Sequence, residues 1–156
     1  MSDQRCSVAL ENGRYAKVTL WQNEVRLDMR EYIVGEKKII PTKKGISLKL
    51  HHIKTLSNFM DSIQDTLKKN GEMKWHLGYN VYVSVKEDNP CVDIRQYWKP
   101  PQTDESVPTK KGLCLRPQEY DHFLSQWETI LNSIPELETF VPCYDQDDHL
   151  NQLGML

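Results

Sequence analysis

No run of the 156-residue chain approaches the roughly 18 to 20 consecutive apolar residues that span a bilayer, and Met1-Ser2-Asp3-Gln4-Arg5 holds no apolar leader core. These absences predict no membrane partner and an intracellular protein. Cysteine is sparse: Cys6, Cys91, Cys114 and Cys143 stand far apart with no Cys-x-x-Cys, so neither a zinc site nor a redox motif is indicated, and four reduced thiols are the default. The five histidines (His51, His52, His76, His122, His149) show no His-x-x-x-His spacing, and His51-His52 reads as a solvated pair at a helix start. There is no nucleophile motif, and the seven glycines form no phosphate-binding loop. Catalytic residues, metal and cofactor are accordingly expected to be absent. Net charge is also scarce, at −2, an average that argues against a polyanionic partner.

What is present is a duplication. Leu27-Asp28-Met29-Arg30-Glu31-Tyr32 returns as Val92-Asp93-Ile94-Arg95-Gln96-Tyr97, a step of 65 residues. Pro41-Thr42-Lys43-Lys44-Gly45-Ile46-Ser47-Leu48 returns as Pro108-Thr109-Lys110-Lys111-Gly112-Leu113-Cys114-Leu115, a step of 67. Upstream, Val18-Thr19-Leu20 aligns with Val83-Ser84-Val85 and Gly13 with Gly78, both at 65. The chain thus divides into a first repeat over 1–71, a second over 72–134 and an acidic C-terminal tail over 135–156.

Each repeat opens with period-two alternation, the mark of half-buried strands. Val18 and Leu20 face one way, and Lys17, Thr19 and Trp21 the other; Val83 and Val85 oppose Tyr82, Ser84 and Lys86. The next strand sets Leu27 and Met29 against Asp28, Arg30 and Tyr32. Each repeat then changes period. Ile53, Leu56, Met60, Ile63 and Leu67 fall in a helical stripe that stops at Asn70-Gly71, and a second stripe runs from Tyr120 through Phe123, Trp127 and Ile130 to Ile134. The expected class is α+β, with each repeat a curved four-stranded antiparallel sheet followed by one helix. A unit of roughly 65 residues is marginal alone. The short linker from Asn70 to Lys74 predicts an intrachain pseudo-dimer, a compact monomer with internal pseudo-two-fold symmetry. Trp75 and Trp127 are expected in the core or between the copies.

These motifs, in the same order in both copies, make the chain resemble the positive cofactor 4 family of transcriptional coactivators. The resemblance implies a non-enzymatic protein that binds single-stranded or melted DNA, with RNA the alternative polymer and transcription proteins as further partners, working in the nucleus. It places nucleic-acid binding on Arg30 and Arg95, on Trp98, and on Lys43, Lys44, Lys110 and Lys111 in the loop of strand four. Trp21 and Lys86 correspond loosely to the family's hairpin residues, and Lys17, Tyr32, Tyr82 and Tyr97 complete the cationic and aromatic faces. Ile33 stands where Trp98 stands in the second copy, and the family's acidic N-terminal segment has no counterpart, with only about six residues expected before the first strand.

Such residues suit single strands because a cationic groove takes phosphates while aromatic faces stack bases, at roughly 1 to 3 kcal/mol per stacked base. Arginine can fork onto phosphate or stack. It can also pair with Asp28 or Asp93. The rival function is a protein-interaction adaptor that keeps the fold with weakened nucleic-acid affinity. The near-neutral total conceals segregation: residues 1–71 carry 13 basic and 8 acidic side chains, and residues 72–156 carry 7 and 14. The first repeat is therefore expected to be the stronger phosphate contact and the second the better stacking platform, with the acidic tail a solvated end or a competitor for the basic groove.

Overall fold

A computed structural model describes residues 2–140. The first repeat is a meander of β1 (Ser2–Ala9), β2 (Arg14–Trp21), β3 (Glu24–Val34) and β4 (Ile39–Leu48), followed by α1 (Leu50–Lys68). The second repeats the plan with β5 (Met73–Gly78), β6 (Val81–Val85), β7 (Val92–Trp98) and β8 (Val107–Leu115). Two short helices follow, α2 (Pro117–Ser125) and α3 (Trp127–Asn132), then a 3-10 turn over Pro135–Glu138. All neighbouring strands are antiparallel. The expected α+β pair of sheets, each covered by helix, is the fold.

Alternation builds it. Ala16, Val18, Val25, Leu27, Met29, Ile46 and Leu48 are buried against Ile53, Leu56, Met60 and Ile63 of α1. Each of these side chains larger than alanine contributes on the order of 1.5–3 kcal/mol by leaving water. The β2–β3 and β5–β6 turns place Gln22, Asn23, Tyr79 and Asn80 at positive φ, the two-residue hairpin geometry whose twist matches the strands. Asn70 takes the left-handed conformation that ends α1, while Gly71 donates its N–H back to the Thr66 carbonyl.

Several expectations are corrected. β1 begins at Ser2, so it absorbs the residues expected to precede the first strand. The single second helix is interrupted at Gln126, although Tyr120, Phe123, Trp127 and Ile130 keep one buried face across the break. Residues 135–140 are not a free tail. Leu137 is buried, its carbonyl accepts from Lys54 Nζ at 3.1 Å, and Glu136 takes a two-armed ion pair from Arg5 of β1 at 2.8 Å on each arm. The acidic segment 141–156 lies outside the described residues. Cys91 and Cys114 are joined by a disulfide, against the expectation of reduced thiols.

One apolar cluster runs through both repeats. β4 and β8 lie together at the seam, and α1 packs on β5 and β6 of the other repeat as well as on its own sheet. The marginal size of each unit is thus offset by a shared core. Trp75 and Trp127 are both within it, as expected.

Each helix start also grips the first hairpin of the opposite repeat, with different chemistry on the two sides. At α2, the Glu119 carboxylate, 1% exposed, accepts from Arg14 Nη1 at 2.8 Å, Asn12 Nδ2 at 2.9 Å and the Arg116 N–H at 2.7 Å. At α1, the corresponding His52 accepts the Lys49 N–H on Nδ1 at 3.1 Å and turns Nε2 to the Gly78 carbonyl at 3.1 Å. His51 packs between His52, tilted against it, and Tyr79, edge-on to it, with ring centroids 3.9 and 4.4 Å away. Burial, and then His51, lower the His52 pKa to about 3. This pair is a neutral junction element, not the solvated pair the sequence suggested.

Candidate nucleic-acid interface

The face of each sheet turned away from the helices carries one polar unit, built twice with nearly the same geometry. In the first repeat, Arg30 Nε and Nη2 donate to Asp28 at 3.0–3.4 Å, and Nη1 donates to the Thr42 carbonyl at 2.9 Å. In the second, Arg95 does the same to Asp93 at 2.9–3.3 Å and to the Thr109 carbonyl at 2.8 Å. The arginines therefore do pair with the aspartates. They lie flat across Gly45 and Gly112, where an added Cβ would come within 2.8 Å of arginine side-chain carbons. Glycine is required there by close approach rather than by a turn.

The Lys-Lys pairs lie inside strands β4 and β8, not in a loop as expected. Arg30 pairs with Gly45 and Tyr32 with Pro41, so Thr42, Lys43 and Lys44 bulge opposite Glu31 alone; Thr109, Lys110 and Lys111 bulge opposite Gln96. Threonine fixes each bulge, donating its hydroxyl to the Glu31 or Gln96 carbonyl at 2.7 Å and accepting the N–H of Lys44 or Lys111 at 3.2 Å. Bulges re-aim side chains, and here they expose adjacent lysines at the seam.

Aromatic pairs flank the arginines. Tyr15 and Tyr32 meet edge-on with centroids 5.3 Å apart, as do Tyr82 and Tyr97 at 5.0 Å. Lys17 Nζ lies 4.3 Å from the Tyr32 ring, and Lys74 Nζ 4.2 Å from the Tyr97 ring. His76 stacks on Tyr82 at 4.5 Å, and burial, followed by Lys74, lowers its pKa. The pairing Tyr15 with Arg30 and Tyr82 with Arg95 corrects the sequence alignment of β2 with β6: the structural step is 67, not 65. The turns agree, since Tyr32 N–H bonds to the Gly13 carbonyl and Tyr97 N–H to that of Asn80. Tyr15, Lys74 and His76 were missed for this reason. A two-residue slip in the repeat alignment hides Tyr15 as the counterpart of Tyr82, and β5 carries no recognisable repeat of β1.

Two grooves at the seam combine cations from both repeats. One, about 620 Å³, is lined by Arg26, Arg30, Lys43 and Lys49 of the first repeat with Gln96, Lys110 and Lys111 of the second, and by no carboxylate. Its pseudo-symmetric mate, about 400 Å³, has Arg95 and Lys110 with Arg14, Lys43, Lys44 and also Glu31. Gln96 thus serves the opposite repeat's groove. Strand alternation puts Trp98, 55% exposed, on the same side of β7 as Gln96. Ile33, 54% exposed, is likewise on the side of Glu31. Alternation therefore separates Trp98 from Arg95 and Tyr97, and it stands exposed on the side of β7 that carries Gln96.

The other expected residues are distributed along the two faces. Lys86 and Tyr97 line hollows on the second sheet, where one of about 240 Å³ also includes Arg95, Cys91 and Cys114. Trp21, exposed, sits at the far end of β2 opposite Glu24, six strand positions from Tyr15. Arg26, Lys49 and Gln96 are groove residues that motif spacing did not single out. Among the described residues, no group of three or more His, Cys, Asp or Glu could hold a metal ion, and no helix is long and apolar enough to cross a membrane.

A duplicated sheet-and-helix unit with a repeated Asp-x-Arg and Thr-Lys-Lys-Gly face defines the class. Residues 8–59 and 75–126 each match the family model Transcriptional Coactivator p15 (PC4), and the chain belongs to this family of transcriptional coactivators, carrying its domain twice. The two segments begin 67 residues apart, the step that strand pairing gives for β2 and β6. Over 69 residues the chain is 35% identical to the RNA polymerase II transcriptional coactivator KIWI of Arabidopsis thaliana, a match covering 42% of this chain and 64% of that protein. No solved structure matches significantly.

Proposed function

We propose that this protein is a non-enzymatic nuclear coactivator that holds single-stranded or melted DNA on its two seam grooves with little sequence preference. The observation that carries this reading is the carboxylate-free groove in which Arg26, Arg30, Lys43 and Lys49 meet Lys110 and Lys111 of the other repeat. Six cations converge there from two domains. Glu24 just outside the groove pairs with Arg26 and Lys49, and Asp28 with Arg30, which leaves Lys43, Lys110 and Lys111 as the main track for a phosphate chain. Trp98 on the adjoining strand offers a stacking face. Arg30 and Arg95 have three N–H bonds each committed within the protein, so they act mainly as flat, rigid surfaces under a base. Lysines supply most of the phosphate contact.

The binding is asymmetric between grooves rather than between repeats. The first repeat's groove has more cations and no carboxylate, whereas its mate includes Glu31. Trp98 and Ile33 stand two residues along the strand from Gln96 and Glu31 respectively. Fluorescence polarisation with a strand of about 20 nucleotides, read at two salt concentrations, tests the proposal. Binding should weaken with a log–log slope of about −0.7 per neutralised phosphate. No binding at low salt would refute it, and the same titration with RNA and duplex DNA orders the polymers. A protein contact is favoured separately at the β3–β4 hairpin, where Ile33, Val34, Ile39 and Ile40 are all exposed.

A further inference from the structure

We infer that Cys91–Cys114 is a thiol-responsive clasp that sets how firmly the second repeat's sheet face holds a nucleic-acid strand. The inference rests on the strand-binding reading above. Cys91 ends the six-residue segment Lys86–Cys91 between β6 and β7, and Cys114 lies in β8, with Cα atoms 6.3 Å apart. Lys86 to Pro90 are all exposed, and the disulfide is the covalent tie between this segment and β8. Both cysteines are half-buried and line the same hollow as Lys86 and Arg95, so a small thiol can reach the sulfurs that a strand would cover.

The clasp belongs to one repeat only. By the motif steps, Cys91 corresponds to Arg26 and Cys114 to Ser47, both lining the first repeat's groove. One repeat therefore has a fixed cation and a hydroxyl where the other has a redox pair. Cys114 also offers its backbone carbonyl to Arg14 Nη1, so the clasp adjoins the Arg14–Glu119 junction. A disulfide whose sulfurs a small thiol can reach is of the labile, regulatory kind rather than the structural kind.

Opening it needs a low-molecular-weight thiol as the two-electron donor. One thiolate attacks a sulfur of the pair, forming a mixed disulfide and releasing the other cysteine as a thiolate that takes up a proton. A second thiol attacks the mixed disulfide, freeing the remaining cysteine as a thiol and leaving as the small-molecule disulfide. With the tie gone, the Lys86–Cys91 loop is held only at its ends, where Val85 pairs with Val92, and ordering the loop on a strand costs entropy that the closed clasp has already removed.

Polarisation titrations of the full chain with oligothymidines of about 20 and about six nucleotides, oxidised and after thiol reduction, test the inference. The longer strand spans both grooves and should bind about three- to tenfold more weakly after reduction. The shorter one occupies the cation-rich groove and should be unchanged. Cys91→Ser/Cys114→Ser should bind like the reduced protein and ignore the reductant. Equal affinity in both states, or equal loss at both lengths, overturns the clasp while leaving strand binding intact. Failure of either state to bind at low salt overturns both. Alkylation of Cys91 and Cys114 across glutathione ratios supplies an independent readout, and a pair that stays oxidised throughout also overturns the proposal.

Discussion

Replacing Arg14 with methionine isolates the most buried ionic contact between the repeats. Glu119, 1% exposed, would keep Asn12 Nδ2 and the Arg116 N–H but lose its only cation, while the Cys114 carbonyl would lose a donor. Removing one partner of a buried pair costs about 3–5 kcal/mol. Arg14 is itself one-fifth exposed, so the lower end, about 3 kcal/mol, is expected. In a protein of this size each kcal/mol moves the melting temperature by about 2–4 °C, which gives a drop of about 6–12 °C. Thermal melts followed by circular dichroism on the wild type, Arg14→Met, Glu119→Gln and the double variant measure it. The double variant should be no less stable than Arg14→Met, because the charge stranded by the first substitution is gone. A melt of Arg14→Met within about 3 °C of wild type, or two single effects that simply add, would refute this account of the junction.

Three further outcomes follow from the geometry. His52 has its pKa lowered to about 3 against the ordinary 6.5, so its contribution to stability is complete above pH 6.5 and is lost as pH falls toward 3. Denaturant titrations at pH 7.5, 6 and 5 should show the loss approaching about 1.4 kcal/mol per pH unit, and His52→Gln should flatten it; equal slopes for both proteins would contradict the assignment. Gly112→Ala places a Cβ 2.8 Å from Arg95 carbons and should displace that side chain, lowering the melt by a few degrees and strand affinity several-fold, so unaltered affinity counts against the flat-arginine surface. Trp98→Ala should cost about 1–3 kcal/mol of strand binding, and Ile33→Trp should recover part of it by furnishing the poorer groove; titration of the three proteins decides.

The strand faces, the helical stripes and the doubled Asp-x-Arg and Lys-Lys-Gly motifs were legible because each follows a local period or a near-identical repeat. Pairing register was not. Two residues lost in one hairpin and gained in the next leave β3 and β7 at a step of 65 inside units displaced by 67, so motif matching alone misaligned β2 and concealed Tyr15. The role of His52 was equally hidden, because its partner Gly78 belongs to the other repeat and no local pattern announces a contact made through a backbone carbonyl. Trp98 is legible as an exposed aromatic, but that Gln96 beside it reaches the other repeat's groove is not, since crossing the seam is a property of the assembled pair. The Cys91–Cys114 bond was invisible for a related reason: sequence spacing cannot say which strands lie together.

The unlike chemistry of the two helix starts has a consequence for assembly. Two separate chains joined only by surface contact dissociate on dilution and can reassort with any related subunit. Tethering by a few residues replaces bulk concentration with an effective local concentration on the order of millimolar, so the pair persists when the protein is scarce. The junctions add a matching rule. Pairing two first halves would set Arg14 against His52, and pairing two second halves would leave Glu119 facing the Gly78 turn without a cation. Each half is thereby committed to its own unlike neighbour, which frees the two cationic sheet faces to diverge without risk of being averaged by exchange.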